Sequence, residues 1–360
     1  MIENNEITIK SRNFEYEIIF SEGLRLCPQT DYIILVDEKV EAFVYKLFPD
    51  NARHLTLKID ETAKSYEACG LVIEKLLELN IRRKTTIYAI GGGALQDIVT
   101  FISAIYMRGL EWQFIPSTLM SMLDSCIGGK SSINFKNNKN LIGNFNPPSK
   151  IYIFPSLLKT LNDVDIVSGL AEGYKITYAR DQKSFMEFCN SVEEYRHTAE
   201  PEFLKNAIEV SLRAKKWFIE IDEFDQAERQ LLNFGHSYGH ALEAATNYSV
   251  PHGLAVFIGM AAALERSGVE FMNHPLGIVI CKEVSRVSKQ IIETRISKEI
   301  FIKSLSNDKK NSSHLQRLVL PSGQGSLNLV EFSLNLENLE RCFADLIQAL
   351  KILKVDHEVF

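Results

Sequence analysis

The chain has 360 residues, enough for two domains or one large one. Hydrophobic residues make up 46% and charged residues 24%, the balance of a soluble globular protein, and 40 basic against 46 acidic side chains leave a net charge of −6, which excludes a strongly basic nucleic-acid binder. No apolar run reaches membrane-span length, Met1 to Glu6 lacks the basic and apolar regions of a signal peptide, and six scattered cysteines with no CxxC pair argue against a disulfide framework or a thiolate zinc site and for a cytoplasmic location.

In chain order, Tyr32–Val36 is a short apolar run of β-formers ending at Asp37, the pattern of a buried parallel strand. Tyr66–Leu79 has helical periodicity. Thr86–Ile90 is a second buried strand that runs into Gly91-Gly92-Gly93, and Asp97–Ile105 follows as a helix. Gln113–Pro116 and Ile151–Phe154 read as further strands. This β-α-β-α rhythm predicts a Rossmann-like α/β layer. The second half reads as helix: Ser168–Arg180, Phe185–Val192, Glu202–Ile219, Gly235–Thr246, Leu254–Glu270, Lys282–Glu293 and Glu337–Leu353. The expected division is an α/β domain over 1–162 and a helical domain over 163–360, with the boundary near Leu161-Asn162-Asp163. Asn307–Gln316 is polar and basic and is expected to be an exposed loop.

Three stretches carry chemistry. Gly91-Gly92-Gly93-Ala94-Leu95-Gln96-Asp97 follows a strand and opens a helix, so it is either a tight turn or a cradle whose free N–H groups meet a pyrophosphate. Asp37, at a strand end, is either a ribose contact or a solvated carboxylate. Gly128-Gly129-Lys130, with Lys136, Lys139 and Asn140 behind it, is either a second anion site or a basic loop; the first glycine of a Walker motif is missing. The third stretch, Asn233 to Ser249, puts His236, His240 and Glu243 on one helical face, and His252 follows between Pro251 and Gly253. Imidazoles so grouped point to a metal site. The zincin base is absent, because Ser237 stands in its place. Glu172 and Lys175, three residues apart, fit a surface ion pair, or a carboxylate that completes the metal site.

Together these motifs resemble the dehydroquinate synthase family, within the sugar phosphate cyclases. The resemblance runs from about Val36 to Leu320. It rests on Gly91 through Asp97, Arg108-Gly109, Pro116 to Leu119, Asp124-Ser125, Gly128 to Lys130, Lys139-Asn140 and Gly169 to Glu172 with Lys175. It continues through Lys215, Asp222, Arg229, Asn233, Gly235-His236, His240, His252-Gly253 and Asp308-Lys309-Lys310. It implies an NAD-binding α/β domain, a helical domain and a site in the cleft between them. The metal ligands it implies are Glu172, His236 and His252, for Zn2+ or Co2+. His240 then becomes a contact for substrate phosphate, together with Lys130, Asn140, Arg229 and Lys309 or Lys310. Asp124, Lys175, Lys215 and Asn233 correspond to groups on the substrate's hydroxyls and carboxylate. Asp37, Glu61, Lys64, Gly91, Gly92, Gly93, Asp97, Ser117, Thr118, Lys139 and Thr160 correspond to NAD contacts; Glu61 and Lys64 carry no signal of their own. Arg108 corresponds to a residue that reaches the neighbouring subunit's site, which implies a homodimer.

The activity implied is a phosphate-eliminating lyase. NAD transiently oxidises an alcohol of 3-deoxy-D-arabino-heptulosonate 7-phosphate, phosphate leaves, the ketone is reduced again, and an aldol closure gives 3-dehydroquinate. Other cyclases of the amino-dehydroquinate, deoxy-scyllo-inosose or valiolone type, and metal-dependent alcohol or glycerol dehydrogenases, are the alternatives. Val164-Asp165, Ser117, Lys39, Cys126 and the stretch Leu320–Ser326 depart from the usual family pattern and mark a divergent member.

Overall fold

A computed structural model describes residues 6–12, 14–21, 23, 25–60, 63–136, 138–288, 294–306, 315–323, 326–355 and 357–359. The chain divides into two compact units. The first holds Met1–Thr160, Ala199–Ile208 and Lys216–Phe224; the second holds Leu161–Thr198, Glu209–Lys215 and Asp225–Phe360.

The first unit is built on seven strands: β1 (Glu6–Lys10), β2 (Glu15–Phe20), β3 (Tyr32–Asp37), β4 (His54–Leu57), β5 (Thr86–Gly91), β6 (Trp112–Pro116) and β9 (Lys150–Ile153). Their order across the sheet is β1-β2-β9-β6-β5-β3-β4, with β1 and β2 antiparallel and every other pair parallel. Strands β5 and β6 are buried at every residue, as the uninterrupted apolar runs require when both faces are covered. The edge strand β1 and its neighbour β2 alternate buried with more exposed residues instead. A short hairpin, β7 (Ile133–Phe135) and β8 (Asn138–Ile142), stands apart from the sheet. Helices α1 (Val44–Leu47), α2 (Tyr66–Glu78) and α3 (Gly93–Ile105) link the strands. α3 begins four residues before Asp97, because Gly92 is its N-cap and the glycine loop itself supplies the first turn.

From β3 the chain first builds β4 on one side and then returns to place β5 on the other. That reversal is a topological switch point, where open α/β sheets leave a crevice beyond their carboxyl ends. Asp37 closes β3 and Gly91 closes β5, so both stand at this edge.

The second unit is mainly helical: α4 (Asp163–Arg180), α5 (Gln182–Thr198), α7 (His236–Ala245), α8 (His252–Arg266), α9 (Pro275–Val287), α10 (Lys298–Ser306) and α11 (Leu336–Ile352). Helix α6 (Leu204–Ile221) has segments in both units. Two strand pairs accompany the helices: β10 (Thr294–Ile296) with β13 (His357–Val359), and the hairpin of β11 (Leu315–Gly323) with β12 (Ser326–Ser333). The expected loop at Asn307–Gln316 lies outside the described residues up to 314, and its last two residues open β11. The helix expected over Lys282–Glu293 instead starts at Pro275, which fits a first-turn position, and His274 caps it by accepting from Leu276 N at 3.3 Å. Helix α4 is the centre of this unit. Asn162 caps it through Asp165 N at 2.9 Å, and it is buried continuously from Ile166 to Ala179. A helix buried on every side has its polar residues in the core too, and here these include Glu172 and Lys175. Among the described residues, no helix is long and apolar enough to cross a membrane.

Candidate active site

Helix α8 opens at His252, with Gly253 packed directly on α4. A Cβ on Gly253 would come within 2.1 Å of Ser168 O, so only glycine allows this approach. Glu172 lies one turn along α4 from Ser168, and the close docking brings His252 Nε2 to 3.4 Å from Glu172 Oε1. From α7, whose N-cap Gly235 has a φ of +76°, His236 Nε2 lies 3.8 Å from the same oxygen. The ring centroids of His236, His240 and His252 are 5.2 to 5.7 Å apart, and one nitrogen of each falls within 4.8 Å of the others.

Two overlapping donor sets are therefore present: the three histidines, and Glu172 with His236 and His252. The state of Glu172 separates them. Its carboxylate is 2% exposed; Oε2 pairs with the buried Lys175, whereas Oε1 is buried with no hydrogen-bond partner. An unsatisfied buried carboxylate oxygen is costly, and a cation between it and the two imidazoles removes that cost. Ligand atoms at tetrahedral angles on bonds of roughly 2.1 Å sit roughly 3.4 Å apart, close to the two separations observed. His240 is the exposed member of the trio.

Hydrogen bonds behind the rings fix them. His236 Nδ1 meets Phe234 O at 3.3 Å, and His252 Nδ1 meets Glu243 Oε2 at 3.2 Å. In each case Nε2 is turned toward Glu172. Burial opposes charge on Glu172, but Lys175 and then His252 outweigh it and hold the carboxyl well below its usual range. Burial likewise opposes a charged His252, but the Glu172 and Glu243 carboxylates beside it push it up to about 10 in the metal-free protein. A metal would replace that proton.

Other expected site residues lie close by in sequence. Arg229 and Asn233 occupy the turn Glu228–Asn233 just before α7; Arg229 is buried, and Asn233 Nδ2 donates to Gln230 O at 2.8 Å. Lys215 is buried on α6.

In the first unit, the switch-point edge holds Asp37 and the loop Gly91-Gly92-Gly93. Asp37 is buried, and burial pushes its carboxyl up while Lys39 N donates to it at 3.1 Å. Gly92 lies against Thr118, where a Cβ would sit 2.9 Å from Cγ2, and α3 has no side-chain cap on its first N–H groups. Ser117 N donates to Gly91 O at 2.8 Å, and Thr118 Oγ1 shares a hydrogen bond with Ser121 Oγ at 2.7 Å. Asp97 binds Lys64 at 2.8 Å and accepts from Ser132 N at 3.0 Å. Asn134 N donates to Lys64 O at 2.8 Å, so Asp97, Lys64 and the β7 segment lock together. Thr160 Oγ1 donates to Leu157 O at 3.0 Å. Lys139 and Asn140 are on β8; Asn140 is exposed with a φ of +52°. Lys130 Nζ stands 5.9 Å from the Phe145 ring centroid. Asp124 is half-buried in the turn Ser121–Ser125. Arg108 is exposed, and it follows Met107 with both at positive φ. Glu61, Lys309 and Lys310 lie outside the described residues.

Comparison with known proteins matches a family model described as the 3-dehydroquinate synthase N-terminal domain to residues 54–168, and its C-terminal counterpart to 169–311. The chain belongs to the 3-dehydroquinate synthase family. Curated family members include the 3-dehydroquinate synthase of Thermoanaerobacter sp. strain X514, 36% identical over 75% of this chain and 76% of that protein. That of Methylacidiphilum infernorum is 32% identical over 88% and 93%. Two solved structures of other cyclases share the fold. A 2-deoxy-scyllo-inosose synthase with carbaglucose-6-phosphate, NAD+ and Co2+ has a TM-score of 0.80 at 20% identity, covering 95% of this chain and 99% of the other. The 2-epi-5-epi-valiolone synthase of Streptomyces hygroscopicus with NAD+ and Zn2+ has 0.78 at 23%, covering 95% and 98%. Within the 3-dehydroquinate synthase frame, Glu243 is the residue that sequence reasoning left without a role. Its spacing puts it on the face of His236 and His240, but only the fold shows that its partner is His252.

Proposed function

We propose that this chain is a 3-dehydroquinate synthase that uses NAD and a divalent metal, zinc or cobalt. It converts 3-deoxy-D-arabino-heptulosonate 7-phosphate into 3-dehydroquinate and phosphate. The observation that carries the metal is the buried, partnerless Oε1 of Glu172 facing His236 and His252. Family membership supports the substrate, and the glycine loop at the switch point supports NAD.

Glu172, His236 and His252 would hold the metal, leaving His240 to face the substrate. When bound, the metal polarises substrate oxygens and NAD accepts and returns a hydride. The chain supplies orientation. Lys175 holds Glu172 Oε2 and so leaves Oε1 for the metal. His240 and Arg229 offer donors to a phosphate, and α3 presents its uncapped N-terminus to the cofactor's pyrophosphate.

The deciding experiment is phosphate release by the NAD- and zinc-loaded protein. It is offered the heptulosonate phosphate, its amino analogue, sedoheptulose 7-phosphate and glucose 6-phosphate. Turnover of the first with no net NADH is expected. Preference for another sugar reassigns the substrate, and stoichiometric NADH without phosphate release marks a dehydrogenase.

Gly92→Ala is expected to weaken NAD binding roughly tenfold, about 1.4 kcal/mol, because the new methyl displaces Thr118. Calorimetric titration reads this, and unchanged affinity would remove the loop from the cofactor site. The family resemblance and the exposed Arg108 support a cytoplasmic homodimer, and sedimentation velocity reads the oligomer directly.

A further inference from the structure

Glu243 stands in the last turn of α7, where the helix dipole disfavours a negative charge and the turn itself holds no basic residue. Its Oε2 lies 3.2 Å from His252 Nδ1, while Nε2 of the same ring lies 3.4 Å from Glu172 Oε1. The two nitrogens of an imidazole point apart, so Glu243 is behind the ring and does not share an ion with Nε2. A carboxylate placed there accepts the Nδ1 proton. It thereby fixes the tautomer and the ring orientation, and makes Nε2 a stronger donor. At His236 the corresponding Nδ1 contact is to a neutral backbone carbonyl, that of Phe234, at 3.3 Å.

We propose that Glu243 is a positioning residue for the metal, bracing His252 so that Nε2 is bare toward Glu172. The proposal rests on the reading of Glu172, His236 and His252 as ligands. It adds a carboxylate that binds no metal and sets how tightly the metal is held.

The test compares Glu243→Ala and Glu243→Gln with the unaltered protein. Zinc affinity is measured by chelator competition, the cobalt form by its visible absorption bands, and the metal-free proteins by thermal melting. Glu243→Ala is expected to weaken zinc binding about 10- to 100-fold and to shift the cobalt bands, with melting of the metal-free protein close to that of the unaltered one. Glu243→Gln keeps an acceptor of nearly the same shape and is expected to recover the cobalt bands and part of the affinity. If alanine also lowers the metal-free melting temperature, the glutamine variant decides: weaker zinc binding at native melting supports the brace. Zinc affinity and cobalt bands unchanged in both variants would overturn this inference and leave the ligand set standing. An unaltered protein that holds no metal would overturn the ligand set, and the brace with it.

Discussion

Replacing His252 by alanine is expected to abolish both metal retention and phosphate release. The substitution removes one of the two imidazoles beside Glu172 Oε1, leaves His236 at 3.8 Å as the other, and takes away a partner of Glu243. Two ligands hold a divalent ion far more weakly than three, so kcat/KM with the heptulosonate phosphate should fall on the order of a thousandfold or more, about 4 kcal/mol. The protein itself should survive. His252 is at the first turn of α8 with a third of its side chain exposed, and the docking on α4 is made by Gly253. Metal content after dialysis, phosphate release and melting are measured side by side. A metal-free His252→Ala protein with full activity would sink the proposed site.

The second large effect is on stability. Lys175 and Glu172 form an ion pair inside α4, with side chains 3% and 2% exposed. Lys175→Met takes the buried ammonium away from the carboxylate, and breaking one side of such a pair costs about 3–5 kcal/mol. Urea unfolding of the metal-free protein, followed by circular dichroism, should show that loss. Saturating zinc should restore part of it, about 2.7 kcal/mol at a hundred times Kd, because it binds the folded protein and not the unfolded chain. The double variant Glu172→Gln with Lys175→Met should regain most of the metal-free stability, since no bare charge remains. A Lys175→Met protein within about 0.5 kcal/mol of the unaltered one would mean that the pair is solvated after all.

The central strands were legible in the sequence because burial on both faces demands uninterrupted apolar runs, as at Thr86–Ile90. The edge strands were not. In β1 only Ile7 and Ile9 point inward, and β4 is partly exposed throughout, so neither forms a run. The β11–β12 hairpin also escaped notice, because β12 is exposed at most of its residues. At the site, residue type and spacing brought together His236, His240, Glu243 and His252, and it was the family resemblance that singled out His236 and His252. Glu172 and Lys175 could be read as a surface pair or as part of the metal site, because an i,i+3 spacing looks the same on a solvated helix as on a buried one; the packing of α4 shows them buried. Glu243 carried the right spacing, but its role depends on where α8 begins, and spacing within α7 cannot reveal that.

The continuous burial of α4 from Ile166 to Ala179 also sets an order of assembly. Glu172 and Lys175 leave water only when the surrounding helices close over them, so they enter the core together, as a neutral pair, during folding itself. On the proposed function, a metal ion is expected to enter afterwards. His240 is exposed and His252 only partly covered, so the cluster stays open from the histidine side after α4 is sealed. Unlike a zinc finger, which is unfolded without its ion, this fold is expected to form without metal. Stripping and reloading the metal is then a surface exchange, and the backbone amides of α4 should stay protected from deuterium throughout it.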